Sequence, residues 1–254
     1  MIKTAIILAG GLGTRLRSAV ADLPKCMAPV DGKPFISFVI TYLQNEGIEN
    51  FVFSLGYKSE AITNYVDANY KGLPVTYVIE TKQLGTGGAI KEACKAIKEK
   101  NVIVVNGDTL FTVDIRGLSL FHEKNAADCT IALKEMKNFD RYGAVEIDLN
   151  QSITAFKEKQ FCAQGSINGG VYALSIKTIL TDDYPEVFSF EKEYLEKNTG
   201  SKKLYGIVSN AYFIDIGIPQ DYQKFQDDYT TIILKNETDN TDNNINTFLN
   251  KLTA

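Results

Sequence analysis

An α/β fold is predicted by three observations. Short runs of Val, Ile and Leu alternate with segments of helical period in the first half, closely spaced strand-like runs fill the second, and a glycine-rich turn follows the first strand. The apolar run at residues 4–8 reads as a buried strand. It is too short for the core of a signal peptide and meets glycines with no small-residue cleavage site behind it. Phe35, Phe38, Val39, Tyr42 and Leu43 fall on one stripe of an amphipathic helix. Residues 51–55 give a second strand, and Ser59 is placed to cap a helix that turns Ile62, Tyr65 and Val66 inward. A strand at 75–79, a helix carrying Ile90, Ala93, Cys94 and Ile97, and a strand at 102–105 complete the alternation. All four strands are rich in Val and Ile, as buried parallel strands are.

After residue 125 the runs at 129–133, 143–147, 153–156, 170–174, 204–208 and 212–216 predict an antiparallel or mixed sheet laid onto the first half. A helix from about 190 to 197 is bounded by Ser189 and Gly200. No Pro/Gly/Ser linker divides the halves, so residues 1–230 are read as a single domain and 231–254 as a polar tail. In that tail, 235–246 suits a loose tether, while Ile245, Phe248, Leu249 and Leu252 share a helical face. They predict a short helix that docks on its own chain or on a second copy, making a homo-oligomer.

Composition narrows the function. Hydrophobic residues make up 44% and charged residues 23% of the 254, with no apolar run near the ~18 residues of a membrane span, which excludes transmembrane and disordered classes. The 27 Lys and Arg against 31 Asp and Glu give a net charge of -4 and form no basic run, so neither nucleic acid nor a membrane is an expected partner. Cys26, Cys94, Cys129 and Cys162 stand singly, without Cys-x-x-Cys spacing, and read as reduced thiols of a cytoplasmic protein. The one histidine, His122, falls at a helix end and is assigned to the solvated surface, which leaves no obvious base for a Ser–His or Cys–His mechanism.

The strongest motif is Leu8-Ala-Gly-Gly-Leu-Gly-Thr-Arg-Leu16, followed by Leu23-Pro-Lys-Cys-Met-Ala-Pro29. A strand that ends in glycines and opens a helix turns backbone N–H groups toward an anion, so this is a phosphate cradle. It lacks the Gly-Lys-Ser/Thr of a P-loop, and Leu16 stands where the dinucleotide fingerprint has its third glycine. Arg15 and Lys25 add two cations within reach of the same phosphates.

These residues resemble the sugar-1-phosphate nucleotidyltransferase family, whose signature is Gly-Gly-x-Gly-Thr-Arg-Leu and then Pro-Lys-x-x-x-Pro. The resemblance extends to about residue 228 through Leu84-Gly-Thr-Gly-Gly-Ala89, Asn106-Gly-Asp108, Tyr142-Gly143, Phe156-Lys-Glu-Lys159, Ile167-Asn-Gly-Gly-Val-Tyr172 and Phe213-Ile-Asp-Ile-Gly217. It departs at Cys26 and Gln160, where many members have proline. It implies a Rossmann-like mixed sheet flanked by helices, with a nucleotide half and a sugar half. Leu8, Gly10, Gly11, Gly13 and Thr14 would hold the nucleotide phosphates, and Gly85, Thr86 and Gly88 its base; read from the residues themselves, Glu80 just before that loop is an acceptor for guanine N1–H and N2–H₂. Tyr142, Gly143, Glu158, Asn168 and Gly169 would hold the sugar, and Asp108 and Asp215 a Mg²⁺ ion.

Two polyanions must meet in such a reaction, and Arg15, Lys25 and Lys159 are the cations expected to screen them. Each assignment has a plainer alternative. Either aspartate alone is equally a turn residue, Glu158 a solvated strand charge, and Gly143, Gly169 and Gly170 turn glycines. Within the family the motifs are most similar to D-glycero-D-manno-heptose 1-phosphate guanylyltransferases, which implies GTP and a sugar 1-phosphate as partners. Mannose-1-phosphate guanylyltransferases and uridylyl- or thymidylyltransferases are the near alternatives. A glycosyltransferase would usually show Asp-x-Asp, and a non-catalytic sensor would not need every charged position filled.

Overall fold

The computed structural model of the protein describes residues 1–11, 16, 20 and 23–238, the last seven by backbone alone. Strand β1 (Thr4–Ala9) sends Ile6 and Ile7 into apolar layers on opposite faces of the sheet, as the two-residue period of a strand requires. A 3₁₀ turn at Lys25–Met27 leads to the short pair β2 (Pro29–Val30) and β3 (Lys33–Pro34). Then follow α1 (Phe35–Asn45), β4 (Asn50–Leu55), α2 (Ser59–Asn69), β5 (Val75–Ile79), α3 (Gly85–Cys94) and β6 (Asn101–Asn106). The second half adds β7 (Thr109–Phe111), α4 (Ile115–Lys124), β8 (Cys129–Phe139), β9 (Ala144–Ile147), β10 (Ile153–Phe156), β11 (Cys162–Ser175) and α5 (Ile176–Thr181). A π-helical turn (Phe190–Leu195) runs into a 3₁₀ turn (Glu196–Asn198), and β12 (Leu204–Ser209), β13 (Phe213–Asp215) and α6 (Pro219–Thr238) complete the described chain.

The mixed α/β architecture is as expected, but the two halves do not lie one on the other. Among the described residues they share a nine-stranded sheet whose main order is β10-β9-β11-β6-β1-β4-β5, with β8 branching from β11 and β12 pairing with β8. Strands β6, β1, β4 and β5 are parallel; β11 runs antiparallel to β6, β8 and β9. The first part of β11 pairs with β9 and its last part with β6. Its register against β8 breaks between Asn168 and Tyr172, where Gly170 takes φ 71°, a bulge that re-aims the strand at mid-length.

One apolar layer lies under α1, α2 and α6, the other under α3, α5 and the π-helical turn. In the first, Phe225 of α6 meets Phe35 and Phe38 edge-on at 5.0 and 5.2 Å, and Tyr229 meets Phe38 at 5.1 Å. Helix α6 therefore packs on α1 and runs without a break across residue 230 and through the first residues of the expected tether. The stripe of Ile245, Phe248, Leu249 and Leu252 lies outside the described residues.

Three local expectations are corrected. Ser59 does not cap α2: it is already helical, and Lys58 precedes it in the left-handed region at φ 51°. Strand β5 is an edge of the sheet, and Ile79 is 55% exposed, so its Val/Ile content did not signal full burial. His122 is 1% exposed, because the α4 stripe of Ile115, Leu118, Ser119 and His122 faces the sheet. Its Nδ1 lies 3.1 Å from Thr130 Oγ1 on β8, and Nε2 has no partner among the described residues. Burial lowers the His122 pKa from 6.5 to about 4, against the weaker opposing pull of Glu123 and Asp128.

Above pH 6.5 the ring is neutral in both folded and unfolded chains. Below it the unfolded chain takes up a proton that the folded chain refuses until about pH 4, so stability falls with pH across that window. Lowering the pH from 7 to 5 should cost His122 about 2 kcal/mol of unfolding free energy. Urea midpoints of the native protein and of His122→Gln at the two pH values test this: the variant should lose that part of the slope, and equal slopes would refute it.

Candidate active site

The site is built where β6 ends. Gly107 donates its N–H to the Leu8 carbonyl at 2.8 Å, and a Cβ there would lie 2.9 Å from that oxygen, so only glycine lets the ends of β6 and β1 close together. Asp108 follows at once. Strand β13 pairs with β7 so that Asp215 stands opposite Thr109, and Ile216 donates to the Asp108 carbonyl at 3.0 Å. Two carboxylates far apart in sequence thus reach one place. Asp215 Oδ1 accepts from Gly217 N at 2.8 Å. Lys25, presented by the 3₁₀ turn, forms an ion pair with Asp108, and its Nζ lies beside Gly217. The neighbouring Cys26 is buried, and burial, aided by Asp108, pushes its thiol up to about 12, so it is a packing residue and not a nucleophile.

Asp108 and Asp215 offer hard oxygen donors, which suit Mg²⁺, an ion commonly held by one or two carboxylates plus substrate phosphates. Among the described residues no cluster of three or more His, Cys, Asp or Glu could hold a metal by itself. The pair therefore fits a cation that takes its other oxygens from phosphate or water.

Two cavities of ligand size open on this floor, of about 490 and 350 Å³. The larger is lined by Tyr142, Gly143, Glu158, Lys159, Asn168 and Gly169, together with Lys25, Asp108 and Asp215. The β11 bulge accounts for part of this. Asn168 is locked at both ends of its amide, donating to Tyr172 Oη at 2.9 Å and accepting from Gly170 N at 3.0 Å. A Cβ on Gly169 would strike the Phe111 ring, and one on Gly143 would approach the Lys157 carbonyl at 2.4 Å. Glu158 and Lys159 are exposed in the loop after β10, not on a strand.

The second cavity is lined by Leu8, Gly10, Gly11, Glu80, Gly85 and Thr86, with Asn106 and Asp108 below. Gly13, Thr14 and Arg15 lie outside the described residues. Glu80 is half-buried; burial raises its pKa, while Leu84 N, donating at 3.3 Å, opposes the rise.

The segment expected as a base-binding loop is the first turn of α3, and its glycines serve packing. Cβ atoms would come within 2.5 Å of the Phe188 carbonyl at Gly85, 2.2 Å of the Phe188 ring at Gly87 and 2.5 Å of the Glu186 carbonyl at Gly88. Gly88 lines neither cavity. The Thr86 hydroxyl is committed to the protein, donating to Glu191 and accepting from Phe190 N.

Sequence reasoning missed Asn106 as a floor residue of both cavities, and Ser189, Glu191, Lys192 and Glu196 on the wall of the larger one. Ser189 was legible as a cap, and it does accept from Lys192 N. The cavity-facing set was not, because which face of this segment meets the cavity is decided by its packing against α3 and not by its own sequence.

Residues 4–232 match the family model described as Nucleotidyl transferase. The chain belongs to that family. A D-glycero-alpha-D-manno-heptose 1-phosphate guanylyltransferase of Aneurinibacillus thermoaerophilus is 51% identical over 87% of this chain and 96% of its own length. One of the same name from Campylobacter jejuni is 46% identical over 87% and 97%. The solved structure of HddC from Yersinia pseudotuberculosis complexed with GMP-PN superposes with a TM-score of 0.80 at 39% identity, covering 90% of this chain and all of that one. Among the described residues of this nucleotidyl transferase, no helix is long and apolar enough to cross a membrane.

The crowding at Gly217 is directly testable. A methyl group there would lie 2.8 Å from Asp215 Oδ1 and 3.2 Å from Lys25 Nζ, and would push the two apart. Gly217→Ala should lower nucleotidyl transfer by ~10- to 100-fold, the scale of a small misplacement at a reacting centre. Its melting temperature should stay near that of the native protein; transfer at the native rate would refute the crowding.

Proposed function

We propose that the protein transfers a guanylyl group from GTP to D-glycero-D-manno-heptose 1-phosphate, releasing pyrophosphate and forming a GDP-sugar. The observation that carries this reading is that two cavities of ligand size share one floor, with Asp108 in both and Lys25 and Asp215 lining the larger one, Lys25 paired with Asp108. A phosphate oxygen of the sugar 1-phosphate attacks the α-phosphorus of GTP in line, and the bond to the bridging oxygen of the β-phosphate breaks. The nucleophile is already an anion, so no protein base or covalent intermediate is needed. This suits a site from which the buried His122 is absent.

The glycine turn at Gly10, Gly11 and Gly13, with Thr14, would cradle the triphosphate by its N–H groups, and Arg15 would add a cation there. Lys25 is best placed for negative charge building at the α-phosphate, and Lys159 would take the phosphate of the incoming sugar. Asp108 and Asp215 would hold Mg²⁺, which when bound screens the phosphate charges. Glu80 supports guanine, because a carboxylate can accept from both N1–H and N2–H₂, groups that adenine does not present. Tyr142, Gly143, Glu158, Asn168 and Gly169 would surround the sugar. The names of the two similar enzymes support GTP and the heptose. The four free cysteines support a reducing compartment, the cytoplasm.

Pyrophosphate release measured with GTP, ATP, UTP and dTTP across a panel of sugar 1-phosphates tests the assignment. GTP with the manno-configured heptose should turn over fastest; faster turnover of UTP or dTTP with glucose 1-phosphate would overturn it. Asp108→Asn and Asp215→Asn should each cut Mg²⁺-dependent turnover by at least ~10²-fold without changing the circular dichroism spectrum. Near-native turnover in both would remove them from metal binding.

A further inference from the structure

Of the described residues, Asn106, Asp108 and Glu191 alone line both cavities. Asn106 and Asp108 form the floor. Glu191 enters from the opposite wall, on the π-helical turn. Its Oε2 accepts from Thr86 Oγ1 at 2.8 Å and from Ser189 Oγ at 3.1 Å. The proton directions are settled, because Thr86 Oγ1 is itself an acceptor for Phe190 N at 2.9 Å and Ser189 Oγ for Lys192 N at 3.2 Å. Both hydroxyls therefore spend their hydrogens on the carboxylate. Oε1 makes no hydrogen bond to any described residue. Two hydroxyls from two different elements thus fix the orientation of a carboxylate whose second oxygen has acceptor capacity to spare.

A carboxylate at this junction repels phosphate and attracts neutral donors. We propose that Glu191 is a substrate-binding residue whose Oε1 accepts a hydrogen bond from a sugar hydroxyl where the two substrates meet. That hydroxyl belongs to the ribose of the nucleotide or to the ring of the sugar 1-phosphate, both of which present vicinal hydroxyls. The proposal rests on the reading of the cavities given above. Thr86 and Ser189 are then positioning residues, which explains why a threonine beside the nucleotide turns its hydroxyl away to the protein.

The test couples variants to substrates that lack one hydroxyl. Glu191→Gln keeps the shape and weakens the acceptor; Glu191→Ala removes it. Removing the contact should cost ~10- to 100-fold in kcat/KM, the usual worth of a hydrogen bond to a charged group. The native enzyme should lose a similar factor on 2′-deoxyGTP or 3′-deoxyGTP if the ribose is the donor, or on a deoxy sugar 1-phosphate if the sugar is. The Glu191→Ala variant should be indifferent to that same hydroxyl, because the partner is already gone. Equal penalties in native and variant enzyme for every hydroxyl would overturn the proposal. Calorimetric binding of GTP, the deoxynucleotides and the sugar 1-phosphates to both proteins gives the same comparison without turnover. Failure of the guanylyltransferase reading therefore remains distinguishable from failure of Glu191. Should the alanine variant not fold, Glu191→Gln carries the comparison.

Discussion

Strand β6 must satisfy two neighbours that run in opposite directions. On one side β1 pairs with it in parallel from Ala5 with Ile103 to Leu8 with Asn106; on the other the last five residues of β11 pair with it antiparallel. Ligands in α/β sheets lie beyond the carboxyl ends of the parallel strands, and β1 and β6 end side by side there. A strand antiparallel to β6 passes through that same end on its way in, and the part of β11 just before the pairing is Asn168-Gly169-Gly170. The mixed sheet therefore sets the β11 residues that line the larger cavity next to the end of β1, which lines the second. The chain needs no second domain to make two cavities.

The charge on the floor follows from a second pairing. Joining β13 to β7 sets Asp215 opposite Thr109, so that Asp215 and Asp108 line one cavity and their like charges repel. Lys25 offsets part of that repulsion by pairing with Asp108. Its backbone is fixed independently of either strand, by the 3₁₀ turn and by the bond from Tyr222 of α6 to the Pro29 carbonyl just after it. Helix α6 thus supports the cation from behind while its aromatic stripe rests on α1, so a peripheral helix has a stake in the centre.

Much of this was legible in the sequence because it depends on short-range rules. The strands at 4–8, 51–55, 75–79 and 102–105 and the α1 stripe need only local periodicity, and glycine turns beside Lys25 and Asp108 announce phosphate chemistry. What escaped depends on the partner an element finds. Val75–Ile79 looks like a buried strand, but among the described residues no further strand pairs beside it and it is an edge of the sheet. His122 looks polar and terminal, yet it is the eighth residue of α4 and lies on the face turned to β8. A helix from about 190 to 197 was legible, but that Glu191, Lys192 and Glu196 line the larger cavity depends on where the segment packs.

The glycines of α3 illustrate how packing and function are tied. Phe188 holds the start of α3 by accepting from Gly87 N at 3.0 Å and donating to the Leu84 carbonyl at 3.0 Å. Cβ atoms at residues 85 and 87 would collide with Phe188 itself, and one at 88 with the Glu186 carbonyl beside it. The segment that the Phe188 contact anchors continues without interruption into Ser189 and Glu191. The walls that α3 and the π-helical turn give to the two cavities are therefore joined by backbone bonds and by the Thr86–Glu191 contact. A side chain added at any of the three glycines would move both walls together. That is a stronger reason for glycine here than leaving space for a base, since Gly88 faces the Glu186 carbonyl and not a cavity.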